Sequence, residues 1–116
     1  MDSYEYNGHL IKYLNFKEVG QGGPEIGNLS VDGRTFRKNF YGGPLLLYKN
    51  YVILPKLVFG IFDRSFKIAI INLSTLEENL IGKKEDLILL KEVENNEICY
   101  YEDLDNTKLK KIKCPI

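Results

Sequence analysis

The sequence has no tryptophan, one histidine, one methionine and two cysteines among its 116 residues. A structural zinc site takes about four Cys or His ligands. His9, Cys99 and Cys114 are only three and are scattered along the chain, so we expect no metal and no cofactor. His9 follows a turn-like Asn-Gly pair with no catalytic partner nearby, and we interpret it as a surface residue rather than a general base. These shortages predict a chain without catalytic residues, hence not an enzyme.

Long apolar runs and an excess of charge are also missing. No run approaches the 18 or so residues of a membrane helix, and the acidic first residues lack the features of a secretory signal. We therefore expect a cytoplasmic protein with no membrane partner and with reduced cysteines. The 16 basic residues are balanced by 16 acidic ones, which removes the attraction behind nonspecific nucleic-acid binding. Nucleic acid is not expected as a partner.

One glycine-rich segment, residues 20–27, superficially resembles a phosphate-binding loop. It lacks the Lys and the Ser or Thr of that loop, and Pro24 is followed by a strand-like run instead of a helix. We interpret it as a connection between elements, with part of a binding rim as the alternative.

The residues that are present predict a β protein. A length of 116 residues corresponds to one domain, taken as residues 1–116. Short runs of Ile, Val, Leu, Tyr and Phe are separated at spacings of about ten residues by turn formers, which is typical of all-β chains. Asp32-Gly33 predicts a two-residue hairpin turn. Alternation predicts strands over 67–73 and 97–101, and we favour strand-turn-strand over a short helix at 74–80.

Two markers recur along the chain. Asn-Leu-Ser at 28–30 returns at 72–74, a step of 44 residues (72 minus 28), and a short apolar run follows Asn7, Asn50 and Asn96. A four-strand unit of this length resembles a blade of a β-propeller. The chain holds about two and a half such units, too few to close a propeller. We therefore predict an antiparallel meander of about 8 to 10 strands built from blade-like repeats, curled into an open sandwich or half-barrel; chance recurrence is the alternative.

Acidic residues collect near the end of the chain, just before a basic segment. In a strand over 97–101, Glu97, Cys99 and Tyr101 face one side and Ile98 and Tyr100 the other. Tyrosine and carboxylates together favour a protein contact. The predicted partner-binding residues are Tyr100, Tyr101, Glu102, Asp103, Asp105 and Glu97, with a weaker patch at Asp2, Tyr4, Glu5 and Tyr6. A solvated hairpin with a basic edge strand is the structural alternative.

A small β protein with few catalytic groups and a Tyr/acid patch resembles bacterial immunity proteins. This resemblance implies a cognate toxin as the partner, a basic nuclease being one example, whose active site is covered by the acidic surface. We expect a monomer, with a homo-oligomer as the alternative. Two other functions stay open: an oligomeric structural or assembly module, and a small-molecule-binding half-barrel.

Overall fold

The computed structural model describes residues 3–18, 25–59 and 64–116, and these residues form antiparallel strands and turns without a helix. Asp2 and residues 20–24 of the glycine-rich segment lie outside this range. The eleven strands formed by the described residues are β1 (Ser3–Tyr6), β2 (His9–Glu18), β3 (Glu25–Val31), β4 (Arg34–Thr35), β5 (Leu46–Tyr48), β6 (Tyr51–Phe59), β7 (Arg64–Asn72), β8 (Glu78–Glu85), β9 (Leu89–Glu94), β10 (Glu97–Tyr101) and β11 (Leu109–Lys113). The predicted all-β class is confirmed. The count slightly exceeds expectation because β4 and β5 have only two and three residues.

The strands form three sheets, each a meander of strands that follow one another in sequence. Sheet A has the order β1-β2-β3-β4, sheet B the order β5-β6-β7-β8, and sheet C the order β11-β10-β9. No sheet of the described residues closes into a barrel. No helix in the described part of the chain has the length and apolar character needed to cross a membrane.

Tight turns with a left-handed backbone conformation connect the strands of the hairpins. The predicted Asp32-Gly33 turn is confirmed, with φ of 52° and 85°, and it joins Val31 to Arg34. Similar two-residue turns connect the first two strands of sheet A, at Asn7-Gly8, and the first two strands of sheet C, at Asn95-Asn96. Residues 73–75 form a turn between β7 and β8, so the strand-turn-strand prediction is also confirmed.

Sheet B lies between the other two sheets. Along β6, Val52 and Leu54 pack with sheet A in one apolar cluster, the A–B core, while Ile53 and Leu57 pack with sheet C in another, the B–C core. A strand buried on both faces needs apolar residues at consecutive positions. This explains why β6 and β7 show unbroken apolar runs where a half-exposed strand would alternate.

Sheets A and B also join at one corner, through Tyr41. Its backbone exchanges two hydrogen bonds with Gly27 of β3 and forms an isolated bridge to Lys56 of β6. The stack is therefore an open, curled sandwich.

Candidate protein-binding surface

The two faces of β10 have different environments, as its alternation predicts. Ile98 and Tyr100 belong to the B–C core, and Cys99 and Tyr101 point to the outer face of sheet C. On that outer face, ligand atoms of Glu92, Glu94 and Cys99 lie within 4.8 Å of one another, an arrangement that could hold a metal ion.

Tyr100 is the predicted binding residue that the fold places deepest. Its side chain is 6% exposed, and its hydroxyl donates to a carboxylate oxygen of Glu85 at 2.9 Å. Burial, and then the Glu85 carboxylate, raise the pKa of Tyr100. The ring therefore packs the core beneath the predicted surface, while Tyr101, its neighbour, is half-buried at the surface.

Residues 102–108, here named the acidic loop, connect β10 to β11, and Asp103 fixes their conformation. The Asp103 carboxylate accepts the backbone N–H of Lys108 at 2.9 Å, the backbone N–H of Thr107 at 3.1 Å and the Thr107 hydroxyl. These bonds, the Thr107 hydroxyl first, lower the pKa of Asp103. Asp103 therefore acts inside the loop, as a side-chain cap of the kind that Asp commonly forms in turns.

The cap holds two side chains outward at the tip of the acidic loop. Leu104 is 77% exposed, the highest value among the large apolar residues described, and Asp105 is exposed beside it. Sequence reasoning missed Leu104. The signal that could have found it is an apolar residue between two acids in a segment of turn formers.

The other loop acid, Glu102, is already paired. Its carboxylate lies 3.1 Å from Lys110 Nζ, which also lies 3.9 Å from Glu85. These carboxylates, Glu102 first, raise the pKa of Lys110. Among the described residues, Asp105 has no hydrogen bond or ion pair. It is thus the loop acid most available to a partner.

A cavity of about 280 Å³ lies beside the loop. Its lining is Pro44, Leu89, Leu90, Lys91, Tyr101 and Asn106. Tyr101 connects this cavity with the loop, since it ends β10 where the loop begins. We call Tyr101, Leu104, Asp105 and this cavity the contact surface.

The remaining predicted residues lie elsewhere. Tyr4 and Tyr6 lie on β1 in sheet A, half-buried and packed against the A–B core. Glu97 begins β10, opposite Glu94 and Lys113, at the far end of that strand from the acidic loop. Asp2 lies outside the described residues. The fold therefore does not bring the weaker amino-terminal patch together with the acidic loop, because sheet B separates them.

His9 has a partner that its sequence neighbours did not reveal. Its Nδ1 lies 2.6 Å from a carboxylate oxygen of Asp32, whose other oxygen accepts the Leu10 N–H at 2.8 Å. The Leu10 N–H, and then His9, lower the pKa of Asp32. Ser74 lines a cavity with both residues, yet its hydroxyl accepts from Asn50 and makes no hydrogen bond to His9 within the described chain. The pair joins two hairpin turns, and no nucleophile of the described residues is hydrogen-bonded to it.

Comparisons of the chain with protein-family models, curated proteins and solved structures found no match, so a functional proposal starts from the geometry of these residues.

Proposed function

We propose that this chain is a non-catalytic protein-binding domain that binds its partner through the contact surface. The observation that carries the proposal is Leu104, 77% exposed at the tip of a loop that Asp103 holds in one conformation. Interfaces depend on a few apolar or aromatic anchors surrounded by polar groups. A fixed loop presents such an anchor without the entropy loss of ordering a flexible segment.

The surroundings of Leu104 support a protein as the partner. Tyr101 and the apolar cavity beside it offer a recess for an anchor from the other side, and aromatic residues are enriched at such contacts. Asp105 supplies a negative charge at the rim, where charge chiefly affects the rate and specificity of association. A partner with an apolar side chain next to basic groups fits this arrangement.

The specific role that we propose is that of an immunity protein, which neutralises a cognate bacterial toxin by covering its active site. Support comes from the resemblance in composition and from this accessible surface with an acidic rim. A basic nuclease is the toxin class whose active site best complements Asp105.

We further propose that the three meanders are blade-like repeats, because the turns at Asn7-Gly8 and Asn95-Asn96 occupy corresponding positions in sheets A and C.

The test uses the product of the reading frame next to the gene for this chain. We expect it to bind this protein and to inhibit growth of cells that lack this protein. Leu104→Asp should weaken binding at least about tenfold, about 1.4 kcal/mol, because it removes the anchor. Asp105→Lys should slow association at low salt.

The matched control is Leu80→Asp, a change at a leucine that is 40% exposed on β8 in sheet B. It should leave the dissociation constant unchanged. Equal binding by Leu104→Asp and the wild type would refute the contact surface. A neighbouring product that neither binds nor inhibits growth would refute the immunity role.

We propose a monomer as the active form. Sedimentation in dilute buffer should give the mass of one chain; a stable ring of subunits would instead favour the assembly-module function.

A further inference from the structure

The outer face of sheet C brings two carboxylates and a thiol together. Glu92 and Glu94 are two residues apart on β9 and therefore share a face, and Cys99 of β10 lies directly opposite Glu92. A carboxylate oxygen of each glutamate and Cys99 Sγ all lie within 4.8 Å of one another. Three groups from two strands of one sheet thus point to a common centre.

Cys99 has the least ordinary surroundings of the three. It is 2% exposed, and its thiol makes no hydrogen bond to any described residue although it faces two carboxylates. A buried cysteine in a structural role is normally surrounded by apolar groups. Here it lies outside both apolar cores and beneath acidic side chains. The Cys99 sulfur therefore faces the two carboxylates instead of apolar side chains.

The site is open to an ion from solvent. The Glu92 side chain is 45% exposed, and Glu94 is exposed. Glu92 has a contact of 3.6 Å with Lys91, whose side chain is 46% exposed. Such surface ion pairs contribute little and exchange readily, so Lys91 does not close the site.

We propose that Glu92, Glu94 and Cys99 bind a divalent zinc ion, with water as the fourth ligand. Zinc takes thiolate and carboxylate ligands in tetrahedral geometry, with bond lengths of about 2.3 Å to sulfur and about 2.1 Å to oxygen. Those lengths place ligand atoms about 3.5 Å apart. A rotation of the solvent-exposed glutamate side chains brings the observed atoms to that spacing.

Binding replaces a proton and involves no change of oxidation state. The S–H bond of Cys99 breaks, its proton passes to solvent, and the sulfur forms a bond to the ion. Three negative ligands around a doubly charged ion leave one excess negative charge. Lys111 of β11, directly opposite Cys99 on its other side, offsets that charge.

The ligand set also selects among ions. Magnesium and calcium require six or more oxygen ligands in most sites, whereas a thiolate favours zinc and its chemical relatives. Excess magnesium should therefore fail to compete.

The experiment titrates the reduced, full-length protein with Zn²⁺ by calorimetry and with Co²⁺ by absorption spectroscopy. We expect one Zn²⁺ per chain and, with Co²⁺, the charge-transfer band of a thiolate-cobalt bond. Glu92→Gln and Glu94→Gln should each weaken Zn²⁺ binding at least about tenfold. Cys99→Ala should abolish the charge-transfer band.

The matched controls are Cys114→Ala, which removes the other buried cysteine, and Glu77→Gln, which changes an exposed acid outside sheet C. Both should bind as the wild type does. Absence of Zn²⁺ binding by the wild type would overturn the proposal, and so would unchanged affinity in Glu92→Gln and Glu94→Gln. These two variants change only exposed side chains, so they test the proposal even if Cys99→Ala does not fold. Circular dichroism checks whether Cys99→Ala folds.

Discussion

Three side chains form a polar network at the corner where sheets A and B meet. Tyr41 is fully buried and its hydroxyl donates to one oxygen of Glu78, whose other oxygen lies 2.6 Å from Lys56 Nζ. The Lys56 and Glu78 side chains are only 14% and 19% exposed. Burial, followed by the Glu78 carboxylate, raises the pKa of Tyr41. Glu78 therefore accepts from a buried hydroxyl and pairs with a largely buried ammonium at the same time.

Removing the Glu78 carboxylate should lower the stability of the protein. Glu78→Ala leaves the Tyr41 hydroxyl and the Lys56 ammonium without their partner, and we expect the free energy of unfolding to fall by about 2–3 kcal/mol. Urea denaturation measures the loss. The adjacent Glu77→Ala removes an exposed side chain and should change stability by less than about 0.5 kcal/mol. Equal effects of the two changes would show that the network contributes no stability.

At the scale of single strands, β2 bends where it passes Gly27 of β3. The β2–β3 register shifts between Leu14 and Lys17, and Asn15 has a φ of 55°. A Cβ atom on Gly27 would lie 2.8 Å from the Leu14 carbonyl oxygen and 3.4 Å from the Phe16 ring. The glycine thus permits the close approach of two backbones at a bulge.

Gly27→Ala should therefore force the backbone of β2 or β3 to move. We expect a loss of about 1–3 kcal/mol in the free energy of unfolding, measured by chemical denaturation. Gly42→Ala is the control, since the nearest atoms to a Cβ there, in Phe66 and Pro55, lie at 3.8 Å, an ordinary van der Waals contact. An unchanged stability of Gly27→Ala would mean that the bulge relaxes without cost.

Sequence patterns predicted the strands and turns better than they predicted which sheets pack against each other. Asp32-Gly33 carries its own conformational preference, so its turn followed from two residues. The faces of β10 followed from alternation alone. In contrast, the hydrogen bond from Tyr100 to Glu85 joins sheets C and B, and no local pattern encodes which sheets stack.

The roles of the acidic-loop residues were likewise only partly predictable from the sequence. The cluster of acids was visible in the sequence, but the roles of its members depend on the folded loop. Asp103 caps that loop and Glu102 pairs with Lys110 across a hairpin, so neither charge is as free as composition indicates. The exposed Leu104 was missed because a single leucine between acids has no periodicity to distinguish it.

For the whole molecule, buried tyrosines occur in separate parts of the stack. Tyr13 of sheet A, Tyr41 at the corner and Tyr100 of sheet C are each less than 9% exposed. All three hydroxyls donate hydrogen bonds, that of Tyr13 to the Gly42 carbonyl at 2.6 Å. Burial is the largest cause that raises the pKa of each one.

Stability should therefore fall in alkali. Unfolded tyrosine has a pKa of about 10, and the folded values are higher, so the stabilisation is complete below pH of about 10 and is lost as pH rises above it. Urea unfolding at increasing pH, with tyrosinate absorbance as the probe, measures this. Tyr100→Phe should reduce the slope of stability against pH. Full ionisation of all tyrosines in the folded protein near pH 10 would contradict the expectation.

The pairing of consecutive strands within each sheet also bears on how fast the molecule folds. Each hairpin closes a short loop, and short loops form quickly because they lose little chain entropy. Sheet B, however, is apolar on both faces and cannot bury them by pairing its own strands. Until sheets A and C pack against sheet B, its two apolar faces are exposed to other chains. The packing of the sheets, and not the pairing of strands within each sheet, is therefore the folding step that competes with aggregation.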